Sequence, residues 1–219
     1  MSYQPLLLNF EEAAELRKEL GKDSLLGNAL TRDIKQTDAY MAEVGIEVPG
    51  HGEGGGYEHN RHKQNYIHMD LAGRLFLITE ETKYRDYIVD MLTAYATVYP
   101  TLESNVSRDS NPPGKLFHQT LNENMWMLYA SCAYSCIYHT ISEEQKRLIE
   151  DDLLKQMIEM FVVTYAHDFD IVHNHGLWAV AAVGICGYAI NDQESVDKAL
   201  YGLKLDKVSG GFLAQLDQL

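Results

Sequence analysis

Two stretches of this chain run for about four helical turns without a charged residue, and each is introduced by a knot of polar side chains. The more constraining is Gly176 to Ile190 (GLWAVAAVGICGYAI), preceded by His173, Asn174 and His175. As a helix this run is ~22 Å long, too short to cross a bilayer and apolar on every side. Such a helix has to be enclosed by other helices. The second run, Met125 to Tyr138, follows Phe117-His118-Gln119-Thr120-Leu121-Asn122-Glu123-Asn124. A fold that buries two such helices while collecting polar groups at their amino ends builds a core and a candidate binding surface together.

The other segments supply the covering helices. Asn9 with Glu11 and Glu12 predicts a helix start, with an end at Gly21; Ser24 starts a second helix reaching about Val44. Gly45 to Tyr57 breaks every periodicity with Pro49-Gly50 and Gly52-Glu53-Gly54-Gly55-Gly56, and reads as a loop that other groups can approach closely. Helical spacing resumes through Ala72, Leu75, Phe76 and Ile78, and again through Tyr84, Tyr87, Ile88, Met91, Leu92, Tyr95 and Tyr99 up to Pro100. This tyrosine stripe is core and groove wall in its plainest reading. Thr101 to Lys115 reads as a surface loop, and its Asn105-Val106-Ser107 matches a glycosylation sequon. Ser142 with Gln145 forms a capping box for an amphipathic helix to about Tyr165. Asp192 caps a helix from Glu194 to about Leu203, and Ser209-Gly210-Gly211 precedes a last one.

Eight or nine helices and no convincing strand make the fold all-α and one domain over 1–219. Short breaks near Glu80, Ile141 and Asn191 imply antiparallel pairs. Polar-faced helices alternate with helices that are apolar all round, which suggests a barrel or arc of helical hairpins, without the sequence periodicity of a simple repeat protein.

Charge narrows the partners. With 18 Lys+Arg against 32 Asp+Glu the formal charge is −14, which argues against a broad nucleic-acid surface. Any anion must be held by a local cluster, and no segment reads as a membrane span. The densest positive patch is His59, Arg61, His62 and Lys63, beside the glycine-rich loop and between Tyr57 and Tyr66. It reads either as a solvated helix start or as an anion subsite with sugar-stacking faces. Likewise Asn174 either simply caps its helix or, with His173 and His175, makes a carboxylate-sized dock at a helix amino end.

Metal binding and hydrolysis are the competing chemistries. His59-x-x-His62, His167, Asp168, Asp170, His173 and His175 offer ligands, but no spacing matches a zinc template. No metal or cofactor is expected in this chain. There is no G-x-S-x-G, and Cys132, Cys136 and Cys186 lie in apolar helices as small buried hydrophobes, with no disulfide framework. Glu123, Asp168 and Asp170 could supply paired carboxylates for a glycosidase on a helical barrel.

Four separated stretches then agree with one family. They are Gly54-Gly55-Gly56-Tyr57-x-His59-x-Arg61-His62-Lys63-x-Asn65-Tyr66, Gln119-Thr120-Leu121-Asn122-Glu123, His173-Asn174-His175-Gly176-x-Trp178, and Ala199-Leu200-Tyr201-Gly202 with Gly211-Phe212-Leu213-x-Gln215-Leu216-Asp217. In order and spacing they resemble the amino-terminal helical domain of the heparinase II/III-like polysaccharide lyases, and most of all the oligoalginate lyases. The resemblance implies an (α/α) toroid followed by a β-sandwich, and β-elimination at a uronic acid in an anionic oligosaccharide or polysaccharide such as alginate. It casts Asn174 and His175 as the pair that neutralises the substrate carboxylate. Tyr57, His59, Arg61, His62, Gln119, Asn122 and His173 become substrate contacts.

It also implies that the chain is the amino-terminal part of a longer protein. The family's acid–base tyrosine lies in a Gly-Pro-Tyr-Tyr segment past Leu219, so the isolated chain is expected to have little or no lyase activity. No signal peptide opens it, and the full-length form is expected to be periplasmic or secreted. A glycan-binding domain without catalysis is the alternative from a different class.

Overall fold

The computed structural model describes residues 3–106 and 111–218. Among them every regular element is helical. The chain runs α1 (Phe10–Arg17), α2 (Leu25–Val44), α3 (Gly56–Thr79), α4 (Thr82–Val98) with a 3-10 turn (Tyr99–Thr101), and α5 (Thr120–Ile137). A long helical run follows: α6 (Glu143–Ile149), a π-helical segment (Glu150–Leu154), α7 (Lys155–Glu159) and a second π segment (Met160–Thr164). Then come α8 (Ala166–Phe169), α9 (Asn174–Ala189), α10 (Gln193–Tyr201) and α11 (Gly211–Leu216).

At four helix starts the expected side-chain cap is present. Asn9 and Glu12 form a reciprocal box, Ser24 accepts from the Gly27 amide, Ser142 and Gln145 form a second box, and Asp192 accepts from the Glu194 and Ser195 amides. Each of these caps satisfies amide groups that would otherwise lack a partner at the helix start. Elsewhere the bounds shift. α1 ends at Arg17, before the turn that reaches Gly21; α5 begins at Thr120 rather than Met125; α10 ends at Tyr201. The cap of α9 is His173, not Asn174: Nδ1 of His173 accepts the His175 amide at 2.8 Å.

Helices α3, α5 and α9 lie side by side as an inner layer. Contacts between α3 and α5 advance in step: His59 meets Phe117, Tyr66 stacks on Tyr129 at 5.1 Å, and Gly73 abuts Ala133 and Cys136. The pair is therefore parallel. A Cβ at Gly73 would come within 3.2 Å of the Ala133 Cα, so a larger residue would push the two helices apart. Between α5 and α9, Asn124 shares a cleft with His175 and Ala179, while Ser131 meets Cys186, again in step. The outer helices return the chain. Left-handed Glu80 (φ 61) turns α3 into α4, and left-handed Asn191 (φ 57) turns α9 into α10. Gly187 packs on Ser195 and Gly184 on Ala199, the pattern of an antiparallel pair.

This arrangement makes the apolar runs the core, as expected. Trp126, Met127, Ala130 and Ile137 of α5 and Val180, Ala182, Val183 and Cys186 of α9 are buried, with Tyr84, Tyr95 and Tyr99 of the tyrosine stripe among them. All three cysteines are buried and free. No helix among the described residues is long and apolar enough to cross a membrane. Because α3, α5 and α9 are parallel, their amino ends share one rim. Among the described residues, loops on it include 45–55, 111–119 and 170–173.

Candidate substrate site

The glycine-rich loop is fastened to this rim. Gly52 donates its amide to the Leu116 carbonyl at 2.7 Å and accepts the Asn105 side-chain amide at 3.1 Å. Asn105, the asparagine of the sequon, is thus tied into the loop, and Ser107 lies outside the described residues. His62 closes the loop from below. Its Nε2 lies 3.0 Å from the Gly50 carbonyl, which can only accept, so Nε2 carries the proton and Nδ1 accepts from the Tyr95 hydroxyl at 2.8 Å. Tyr95 accepts from Asn65, Asn65 accepts from Tyr40 at 2.8 Å, and Tyr40 accepts from Arg61 at 3.2 Å. One directed chain of hydrogen bonds therefore runs from Arg61 to the Gly50 carbonyl.

That chain corrects the reading of His62 as a sugar contact. The ring is fully enclosed, both nitrogens are engaged, and burial pushes its pKa down to about 4, so it is a neutral strut. Arg61 is also committed. Its Nε lies 3.2 Å from a Glu47 carboxylate oxygen, a second nitrogen donates to the Tyr57 hydroxyl at 3.3 Å, and the guanidinium sits over the Tyr40 and Tyr57 rings. Tyr57 donates to Glu47 and leaves its ring outermost, 56% exposed. His59 is half-buried, edge-on to Phe117 at 5.2 Å. Burial, then Lys63, then His118 hold its pKa below the ordinary histidine range.

At the start of α5, Gln119 occupies the cap position without a side-chain capping bond, and Asn122 is partly exposed one turn on. Both remain available to a ligand. Glu123 does not. It is fully buried, and its two oxygens accept the backbone amides of Lys115, Leu116 and Phe117 at 3.0–3.1 Å. Burial pushes its pKa up to about 7 against the pull of those amides. It shapes the loop and is not placed to protonate a glycosidic oxygen. Asp170 is similarly occupied, accepting from the Leu203 amide.

The start of α9 is arranged differently. His173 and Asn174 are exposed, and the His173 ring stands perpendicular to His175 at 5.2 Å. Because Nδ1 of His173 accepts an amide proton, its neutral form carries the proton on Nε2, free to face solvent. His175 lines a narrow cleft with Thr120, Asn124, Tyr165 and Asp168. Among the described residues no group of three potential ligands is placed to hold a metal ion. The rim thus offers neutral donors, a stacking face and imidazoles at the amino end of a 16-residue helix, an arrangement suited to an anionic sugar.

The structure adds residues that sequence reasoning passed over: Glu47 and Tyr40 around Arg61, His118 beside His59, and Asn124 on the cleft that His175 lines. Asn124 lies four residues after Thr120, on the same face of α5, a spacing visible in the sequence. The Glu47–Arg61 pairing had no local signal.

A family model described as alginate lyase matches residues 35–210, most of the chain. The chain belongs to the alginate lyase family. An exo-oligoalginate lyase of Saccharophagus degradans is 38% identical over 216 residues, 98% of this chain and 29% of that protein. An alginate lyase of Stenotrophomonas maltophilia is 41% identical over 180 residues, 82% of this chain and 24% of that protein. The chain thus spans between about a quarter and a third of the length of these relatives. The alginate-lyase resemblance read from the four motifs is borne out.

Proposed function

We propose that this chain is the uronate-binding, carboxylate-neutralising part of a polysaccharide lyase that cleaves alginate or its oligomers by β-elimination. The observation that carries the reading is the start of α9 in a chain of this family: Asn174 exposed at the first helical position, His175 next to it, and the helix dipole behind both. In elimination, negative charge moves from the C5–H bond onto the carboxylate as the proton leaves. An amide N–H and an imidazole N–H aimed at that carboxylate bind the developing charge more tightly than the starting acid, which lowers the barrier. Gln119, Asn122 and His173 are proposed as polar subsite contacts, with Tyr57 and His59 at the far end of the rim. Two inner-helix spacings separate α3 from α9, ~16–20 Å, room for several sugar units. The proton-moving residues implied by the resemblance lie past residue 219, and a protein acting on an extracellular polymer is proposed to work in the periplasm or outside the cell.

The test is calorimetric titration of the 219-residue polypeptide with alginate oligomers and with neutral oligosaccharides of equal length, followed by ultraviolet absorbance for unsaturated product. Binding of the uronate series alone, weakened by Asn174→Ala, with little absorbance growth, is the expected result. Equal affinity for neutral sugars would overturn the carboxylate dock, and robust absorbance growth would overturn the assignment of proton transfer to residues outside the chain.

A further inference from the structure

Glu123 carries a carboxyl group into the interior behind the rim, where an ionisable side chain is costly unless its acceptor sites are filled. They are filled by one short stretch of backbone. Oε1 lies 3.1 Å from the Lys115 and Leu116 nitrogens, and Oε2 lies 3.0 Å from Leu116 and 3.1 Å from Phe117. A glutamine in its place would offer one acceptor oxygen and turn an NH2 group on other donors. Gly114 makes the approach possible, since a Cβ there would collide with Oε2. The same stretch turns its carbonyls outward. Leu116 accepts the Gly52 amide at 2.7 Å, Lys115 accepts from Nδ1 of His51 at 2.8 Å, and Gly114 accepts the Asn105 amide at 2.8 Å. A Cβ at Gly52 would fall 2.6 Å from the Leu116 oxygen and 3.3 Å from the His59 Cα, so the glycine-rich loop is wedged between this stretch and α3. One side chain of α5 thus governs backbone on both sides of the rim.

We propose that Glu123 is the positioning residue for the α3–α5 end of the substrate site. By gathering the amides of Lys115, Leu116 and Phe117 it fixes the loop that leads into Gln119, and through the Leu116–Gly52 bond it fixes the glycine-rich loop beside Tyr57 and His59. This deepens the reading above and rests on it, since that reading makes Gln119, Tyr57 and His59 the sugar contacts of this end. Glu123 itself touches no sugar. Its effect is one of preorganisation: loops already held in a single arrangement lose less freedom when a sugar chain docks. Contacts on two helices then meet one ligand at a constant spacing. Hydrogen bonds to an ionised acceptor are roughly twice as strong as those between neutral groups, which favours a carboxylate at this position over any uncharged side chain.

The test uses the 219-residue polypeptide at about pH 8, above the Glu123 pKa of about 7, so that the carboxyl is ionised. Proton–nitrogen-15 correlation NMR reads the amides of Gly52, Lys115, Leu116 and Phe117, and calorimetry reads affinity for alginate oligomers. In Glu123→Gln all four amide protons should move, and affinity should fall about three- to tenfold. Gly114→Ala, which pushes the carboxyl off the loop, should do the same. Ile137→Ala is the comparison: it empties buried volume at the far end of α5, and should lower the unfolding midpoint while leaving those amides and the affinity at wild-type values. A folded Glu123→Gln protein with the wild-type Gly52 signal or wild-type affinity would overturn the proposal. So would an equal loss of affinity in Ile137→Ala, because the effect would then follow stability and not loop position. Should Glu123→Gln fail to fold, Gly114→Ala decides on the same two readouts. If the wild-type chain bound no alginate oligomer while the amide shifts appeared as expected, the functional reading would fall and the Glu123 clamp on the two loops would stand.

Discussion

The starts of α3 and α9 sit on the same rim, and both present histidines beside a helix amino end, yet their polar groups are used in opposite ways. At α3 the cation and two of the ring partners are turned inward: Arg61 is paired with Glu47, and His62 and Asn65 complete a relay that ends on the Gly50 carbonyl. At α9, Asn174 and His173 stand in solvent and His175 borders a cleft. Density of charge in the sequence is thus a poor guide to which cluster stays open to solvent. A cluster beside a loop that needs holding is consumed by the loop, because buried carbonyls and amides must be paired.

The contrast can be pressed hardest at His62. His62→Leu should cost about 2–4 kcal/mol in chemical denaturation, since it strands the Tyr95 hydroxyl and the Gly50 carbonyl together. The same ring gives a pH signature. Its folded pKa of about 4 lies below the ordinary histidine value near 6.5, so the folded state binds fewer protons than the unfolded one between them. Its contribution is fully present above about pH 6.5 and is lost as pH falls toward 4. Denaturation midpoints measured across that window should fall toward acid, and the part due to His62 should vanish in His62→Leu. Glu123 works with the opposite sign: its pKa is raised to about 7, so its contribution is present at low pH and is lost as pH rises through 7.

Next in size are the α9 substitutions. Asn174→Ala or His175→Ala should each lower affinity for alginate oligomers by about 10–100-fold, the range for a hydrogen bond to a charged group. Stability should move by no more than about 0.5 kcal/mol for the exposed Asn174. If His62→Leu instead weakened binding while sparing stability, the assignment of roles to the two clusters would be reversed.

Smaller effects are expected at the cation. Arg61→Gln should lower affinity less than about threefold, because its charge is already met by Glu47, while lowering the unfolding midpoint through loss of the relay. Glu47→Gln is the sharper probe. Freeing Arg61 should raise affinity for the uronate series by a few-fold in titration calorimetry, and an unchanged affinity would mean that the ligand never reaches the α3 end of the rim.

The residues that were legible in advance are the ones whose signals are local. Caps at Asn9, Ser24, Ser142 and Asp192 could be read because a side chain and the amide it serves lie within three residues. The two apolar runs announced the core for the same reason. α5 was expected five residues late because Gln119 provides no side-chain cap, and the apolar face alone marks where a helix is buried, not where it begins. The α9 cap, one of two readings open for Asn174 because asparagine is a common capping residue, falls instead to the ring nitrogen of His173. His62 and Glu123 were read as site groups because a sequence shows that a residue can ionise but not whether three amides or a tyrosine already claim it. Glu47 is 14 positions before Arg61 and reaches it only through the fold of the loop.

Parallel inner helices returned by antiparallel outer ones have an arithmetic consequence. Each hairpin brings the chain back to the same rim, so the rim grows by whole helix widths of about 8–10 Å. It behaves as a ruler graduated in hairpins. A polymer built from one repeating kind of sugar would then lie against a surface that carries a repeat of its own, and register between the two repeats would decide which linkage comes to rest at Asn174 and His175.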